Sequence, residues 1–363
     1  MKKLLKYSAF AIAMAGVTSA AQAVDLNVVS WGGAYTASQM NAYHKPYMKA
    51  NPGVKINSID YSGGLAEMRA QTEAGNVTWD LLDLVASDAI TGCDEGMFRP
   101  INVDAELASA PDGTAASKDF LDGTLLSECF VPQIIYSTVF AYRSDAWKGK
   151  QPTKMADVFD LKNFPGKRAL QKKAINNLEW ALIADGVKRD DVYEVLGTKA
   201  GQDRAFKKLD TIKDHVLWWE AGAQPPQMLA DGEVMMTSAY NGRIFNAQVT
   251  EKKNFAIVWD NQLFAFDFYA IVKGTPRMDE ALRYLQFASA TPQLANQASW
   301  ISYGPVRKSS SALVGKHATA GVDMKPHMPT DPKNFKTALL NNSDFWADNQ
   351  DELNERFNAW LAK

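Results

Sequence analysis

Between residues 26 and 94 short apolar runs alternate with segments of helical period, and the third run, Trp79-Asp80-Leu81-Leu82-Asp83-Leu84-Val85, is almost unbroken. A strand apolar on both faces is covered on both faces, which is the situation inside a parallel sheet flanked by helices. Leu26 to Trp31 reads as the first strand, broken by Gly32-Gly33. Thr36 or Ser38 can cap a helix whose Met40, Tyr43 and Tyr47 recur at helical spacing up to Asn51-Pro52-Gly53. Strand Val54-Lys55-Ile56, a helix from Leu65 to Ala74, the Trp79–Val85 strand and a helix capped by Ser87-Asp88 complete a β-α-β-α-β-α series. That order predicts a doubly wound α/β lobe. Ligands of such sheets collect at the carboxyl ends of the strands, where Trp31, Tyr35, Ser87 and Asp88 fall. Gly32-Gly33 carries no G-x-G-x-x-G or Walker pattern and is expected to let backbone approach a ligand.

Residues 1–23 read as a targeting segment: Lys2 and Lys3, an apolar run to about Val17, then Ala21-Gln22-Ala23 as an A-x-A site. Cleavage after Ala23 leaves a mature chain starting near Val24, without a lipid-anchor Cys, and predicts an exported, periplasmic protein. The remaining length exceeds one ordinary core and predicts two lobes. With 39 basic and 41 acidic residues the chain has no field to steer it to nucleic acid or an anionic membrane. Cys93 and Cys129 are its only cysteines. In an oxidising compartment they read as one disulfide, worth roughly 3–4 kcal/mol by loop-closure entropy, the alternative being two buried thiols.

Phe130 to Tyr142 is strand-like without a turn-rich break, suited to a hinge that leaves one lobe and enters another. In the second lobe, strand Val234–Tyr240 delivers Asn241-Gly242-Arg243 at its carboxyl end. Farther on, Asp267 stands among aromatics in Phe264-Ala265-Phe266-Asp267-Phe268-Tyr269-Ala270-Ile271-Val272. A carboxylate buried in such a strand is costly unless paired. Its partner is either an internal Arg or Lys or a ligand ammonium held with the help of aromatic faces. After Asp267 the chain is expected to return to the first lobe, so that residues 24–140 and 267–311 form lobe 1, and 141–266 and 312–363 form lobe 2. The closing helix, Asp344 to Lys363, carries Trp346, Leu353, Phe357 and Trp360 as a packing stripe.

His44, His215, His317 and His327 lack ligand spacing, and there is no G-x-S-x-G elbow. A two-lobed exported chain without a catalytic set reads as a binder needing no cofactor or metal. A periplasmic hydrolase using an acid pair and a ferric-ion binder are the competing classes.

These features resemble the extracytoplasmic solute-binding proteins of ABC importers, in particular the spermidine/putrescine-binding branch. The resemblance is carried by Val28-Val29-Ser30-Trp31-Gly32-Gly33-Ala34-Tyr35, Trp79-Asp80-Leu81-Leu82, Ser238-Ala239-Tyr240-Asn241-Gly242, the Asp267 strand and Ser302-Tyr303-Gly304-Pro305. It implies a two-lobed periplasmic-binding-protein fold of the α/β class, with crossing hinge strands, a ligand cleft between lobes and an inner-membrane ABC permease as partner of a monomer. It makes Trp31, Tyr240 and Tyr303 aromatic walls and Asp267 the acid that holds an ammonium, and Tyr35 matches a further aromatic with one residue inserted; Ser87, at its strand end, and Tyr136, in the hinge segment, are expected to complete the site. The chain departs from the polyamine pattern in Gln171-Lys172-Lys173-Ala174-Ile175-Asn176-Asn177, where acids are expected and none stands. Lys173 and Arg243 would repel a second ammonium and welcome a carboxylate. The expected ligand is therefore an ω-amino acid such as 4-aminobutyrate, with putrescine or spermidine as the alternative.

Overall fold

The structure, a computed structural model, describes residues 23–363. The targeting segment expected over residues 1–23 lies, but for Ala23, outside the described residues. Eight strands form the main path of one continuous sheet: β1 Val24–Ser30, β2 Val54–Asp60, β3 Leu81–Val85, β4 Val131–Arg143, β5 Arg168–Gln171, β6 Val216–Trp219, β7 Met236–Tyr240 and β8 Phe255–Ile271. Their spatial order is β2-β1-β3-β8-β4-β7-β5-β6. Contacts of β1 with β2 and β3, and of β5 with β6 and β7, are parallel, which gives each lobe its own wound half.

The halves are joined by the two longest strands. β4, of 13 residues, and β8, of 17, run antiparallel and cross together from one lobe to the other. β8 also pairs with β3 in the first lobe, while β4 pairs with β7 in the second. The fold is thus the two-lobed mixed α/β architecture with a strand hinge.

Each lobe has its own apolar core. Leu26, Val28, Tyr43, Leu81, Ile271, Tyr284 and Leu285 pack in the first, and Phe140, Leu178, Trp180, Leu196, Phe206 and Met236 in the second. The closing helix spans Ser343–Leu361, and its Trp346, Leu353, Phe357 and Trp360 lie in the second core, as the stripe implied. Cys93 and Cys129 form a disulfide with Cα atoms 5.7 Å apart, fastening the helix Ala86–Asp94 to the segment that leads into β4.

Candidate functional site

The carboxyl end of β1, the hinge strands and the carboxyl end of β7 meet around a small cavity of about 30 Å³. Its walls are Trp31, Tyr35, Val85, Tyr136, Tyr240, Arg243, Asp267 and Tyr303. Seven of the nine residues singled out in the sequence are therefore brought together, and the other two, Ser87 and Lys173, line a larger adjoining chamber instead.

The segment Tyr240-Asn241-Gly242-Arg243 shows how local sequence builds this cage. Tyr240 ends β7 and sets its ring edge-on to Tyr136, with centroids 5.5 Å apart. Asn241 begins the helix Asn241–Val249, donates Nδ2 to the Ser302 carbonyl at 2.7 Å, and accepts from the Ser137 amide at 2.9 Å. One side chain thus ties second-lobe helix, hinge strand and the Ser302-Tyr303 turn. Gly242 leaves room for Tyr303, since a Cβ there would stand 2.5 Å from the Tyr303 ring. Arg243 then reaches across the cleft, with Nη1 donating to the Gly32 carbonyl at 3.0 Å and Nη2 to the Trp31 carbonyl at 2.8 Å.

Gly32-Gly33 also makes room for a residue of the other lobe. Both residues have positive φ, and a Cβ on Gly33 would lie 2.8 Å from Arg243 Nη1. The missing side chain admits a guanidinium of the opposite lobe.

Asp267 has neither of its expected internal partners. It forms no ion pair among the described residues, and its Oδ1 is buried without a hydrogen bond. Among the described residues Arg243 is not paired with an acid; two of its nitrogens hold backbone carbonyls and its buried Nε has no partner. The cage thus has one unpaired carboxylate oxygen and one unpaired guanidinium nitrogen on residues that share its wall.

A second acid stands beside Asp267. Val85 pairs with Asp267 and Asp83 with Tyr269 across β3 and β8, so Asp83 projects on the same face as Asp267, one diagonal away. Gln39 Nε2 donates to Asp83 Oδ2 at 2.7 Å, the Trp31 indole nitrogen to Oδ1 at 3.3 Å, and the Tyr35 hydroxyl lies 2.9 Å from Oδ2. Burial pushes Asp83 up to about 7 despite these donors. Burial, then the Asp83 charge, hold Asp267 well above the usual carboxylate range, against a lowering by Arg243. Asp83 was missed in the sequence, although it carries the same signal as Asp267, an acid inside an apolar strand.

This fold and cleft define a two-lobed binding protein. The chain matches the bacterial extracellular solute-binding protein family over residues 42–330 and belongs to it. It is 40% identical over 358 residues to the gamma-aminobutyric acid-binding protein of Pseudomonas aeruginosa, covering 99% of this chain and 96% of that one. Among solved structures it is similar to the PBP MotA of A. tumefaciens B6 in complex with glucopine, with 30% identity and a TM-score of 0.82 over 93% of this chain and 100% of that one. A solved GABA receptor is 29% identical, with a TM-score of 0.77 over 93% of this chain and 98% of that one.

Proposed function

We propose that this chain captures a short ω-amino acid, 4-aminobutyrate foremost, between its lobes and hands it to an ABC permease. The observation that carries this reading is the pairing, in one small cage, of the unsatisfied Asp267 carboxylate with the unsatisfied Arg243 guanidinium nitrogen. A zwitterion supplies the missing charge at both ends. The ammonium goes to Asp267, with Trp31, Tyr136, Tyr240 and Tyr303 supplying aromatic surface worth roughly 0.5–2 kcal/mol per cation–π contact. The carboxylate goes to Arg243. The curated relative named for gamma-aminobutyric acid supports the same ligand.

Closure follows from the same contacts. Asp267 stands on a hinge strand beside the first lobe, Arg243 on the second, and a ligand touching both favours the closed form over the open one. The permease recognises that form. A diamine finds no acid on the second-lobe side of the cage, where Tyr240 and Arg243 stand.

A thermal-shift screen of residues 24–363 tests the reading. A ligand at 100 times its Kd stabilises by about 2.7 kcal/mol, a rise of about 4 °C for a chain this long. The rise is expected with 4-aminobutyrate and 5-aminovalerate. A rise with putrescine or spermidine and none with ω-amino acids contradicts it, and turnover of the bound compound would favour a hydrolase.

A further inference from the structure

We propose that the site also takes ω-amino acids extended on their carboxyl side, such as ω-aminoacyl amino acids, and that Lys173 reads the displaced carboxylate. This rests on the ω-amino-acid reading above. Its basis is the shape of the cleft. Trp31, Val85, Tyr136, Tyr240 and Arg243 line both the cage and a second cavity of about 360 Å³ between the lobes, whereas Asp267, Tyr35 and Tyr303 line only the cage. Asp267 lies off the outer chamber, and Arg243 stands where the two cavities meet. A cavity needs on the order of 10–15 Å³ for each water-sized group, so the cage holds the ammonium and the first methylenes. The rest of a ligand leaves past Arg243.

The outer chamber is fitted for an anion at one place. Of its charged side chains, Glu220 is paired with Lys172 at 3.0 Å, Arg69 with Glu95, and Asp88 accepts from the Gly64 amide and from Gln350. Asp351 is exposed at its rim. Lys173 forms no ion pair among the described residues, and its Nζ reaches only the Ser62 carbonyl, at 3.4 Å. That ammonium lies along the exit path. A Cβ on Gly63 would stand 3.1 Å from the outer edge of the Trp31 indole and 3.6 Å from Lys173 Nζ, which places the ammonium beside the ring shared by the two cavities. A chain leaving the cage along Trp31 therefore arrives at Lys173.

The test is calorimetric titration of residues 24–363 with 4-aminobutyrate, 4-aminobutyrylglycine and 4-(dimethylamino)butyrate, repeated with Lys173→Gln. We expect 4-aminobutyrylglycine to bind within about 30-fold of 4-aminobutyrate, and the dimethylamino compound to fall by more than about 30-fold because its two methyls crowd the cage of about 30 Å³ that holds Asp267. Lys173→Gln is expected to weaken 4-aminobutyrylglycine about 5-fold more than 4-aminobutyrate, the effect of one partly exposed charge contact. If 4-aminobutyrate itself does not bind, the ω-amino-acid reading fails. If it binds but 4-aminobutyrylglycine falls beyond 30-fold, or the dimethylamino compound does not, the proposed polarity is overturned. An equal loss for both ligands in Lys173→Gln overturns the role of Lys173.

Discussion

Arg243 donates Nη2 to the carbonyl of Trp31 at 2.8 Å, so a second-lobe guanidinium is bonded to the end of the first strand of the first lobe. With Nη1 on Gly32 and Nε left over, the same group closes the cleft and faces the ligand cage. In the proposed function, ligand capture and lobe closure are coupled through this single side chain.

Arg243→Lys keeps the charge but loses the planar fork that spans two carbonyls. The variant is expected to bind 4-aminobutyrate more weakly by about 2–4 kcal/mol, since Arg and Lys are not interchangeable at a multidentate site. Calorimetry checks this, and an affinity within threefold of the parent would remove Arg243 from the account.

Asp267→Asn removes the charge and keeps the shape. Affinity for 4-aminobutyrate should drop by about 2–5 kcal/mol, as for breaking a buried charge pair. The unliganded variant should melt no lower than the parent, because the carboxylate it replaces is buried without an ion pair.

Asp83 and Asp267 are expected to set the pH dependence of binding. Both carboxyl groups are raised in the unliganded protein, Asp83 to about 7, by burial foremost. An ammonium favours the ionised form of Asp267, so binding releases a proton wherever the pair is partly protonated. Affinity should rise with pH from 5 to 8, by up to about tenfold per unit below the apparent titration of the pair. Titrations in two buffers of different ionisation heat measure the proton release directly; equal heats at pH 6 would contradict it.

Glu179 makes a separate stability prediction. Wholly buried, it is pushed up to about 7 by desolvation, although the Trp346 indole donates to its Oε1 at 2.7 Å. The folded state therefore binds more protons than the unfolded one between about pH 4.5 and 7, and stability falls as pH rises through that window. Glu179→Gln should raise the melting temperature at pH 8 by stabilising about 1–3 kcal/mol, and change it little at pH 5. No difference between the two pH values would contradict the assignment.

Gln350 links the lobes from the closing helix. Its Nε2 donates to Asp88 Oδ1 at 3.3 Å, and Ser87 Oγ lies 3.4 Å from its Oε1, while the helix's aromatic stripe is anchored in the second core. Gln350→Ala should speed ligand release about 2- to 5-fold, the worth of one part-exposed hydrogen bond, measured by stopped-flow tryptophan fluorescence.

Much of this was legible locally. The alternation over residues 26–94 announces a wound lobe because burial on both faces leaves an unbroken apolar run; Trp31 was placed at the cleft because strand ends are where such sheets bind, and Tyr240 because the family resemblance set it there. What escaped depends on long-range pairing. Asp83 gains its meaning only when β3 lies beside β8, Val85 against Asp267, some 180 residues away in the chain. The first half of β8 was also missed. Its Trp259-Asp260-Asn261-Gln262 breaks the apolar pattern where the strand bulges against β4 and Asn261 adopts positive φ. That bulge is held by non-local bonds, the Trp180 indole to the Asn261 carbonyl and the Asn261 amide to Thr337. The guanidinium that fills the space above Gly33 likewise comes from 210 residues away.

The most direct test of the central claim is a crystal structure of residues 24–363 with 4-aminobutyrate bound. The account predicts closed lobes, the ammonium within hydrogen-bond distance of Asp267 and the carboxylate against Arg243. A ligand lying the other way round, or seated only in the outer chamber with Asp267 untouched, would contradict it.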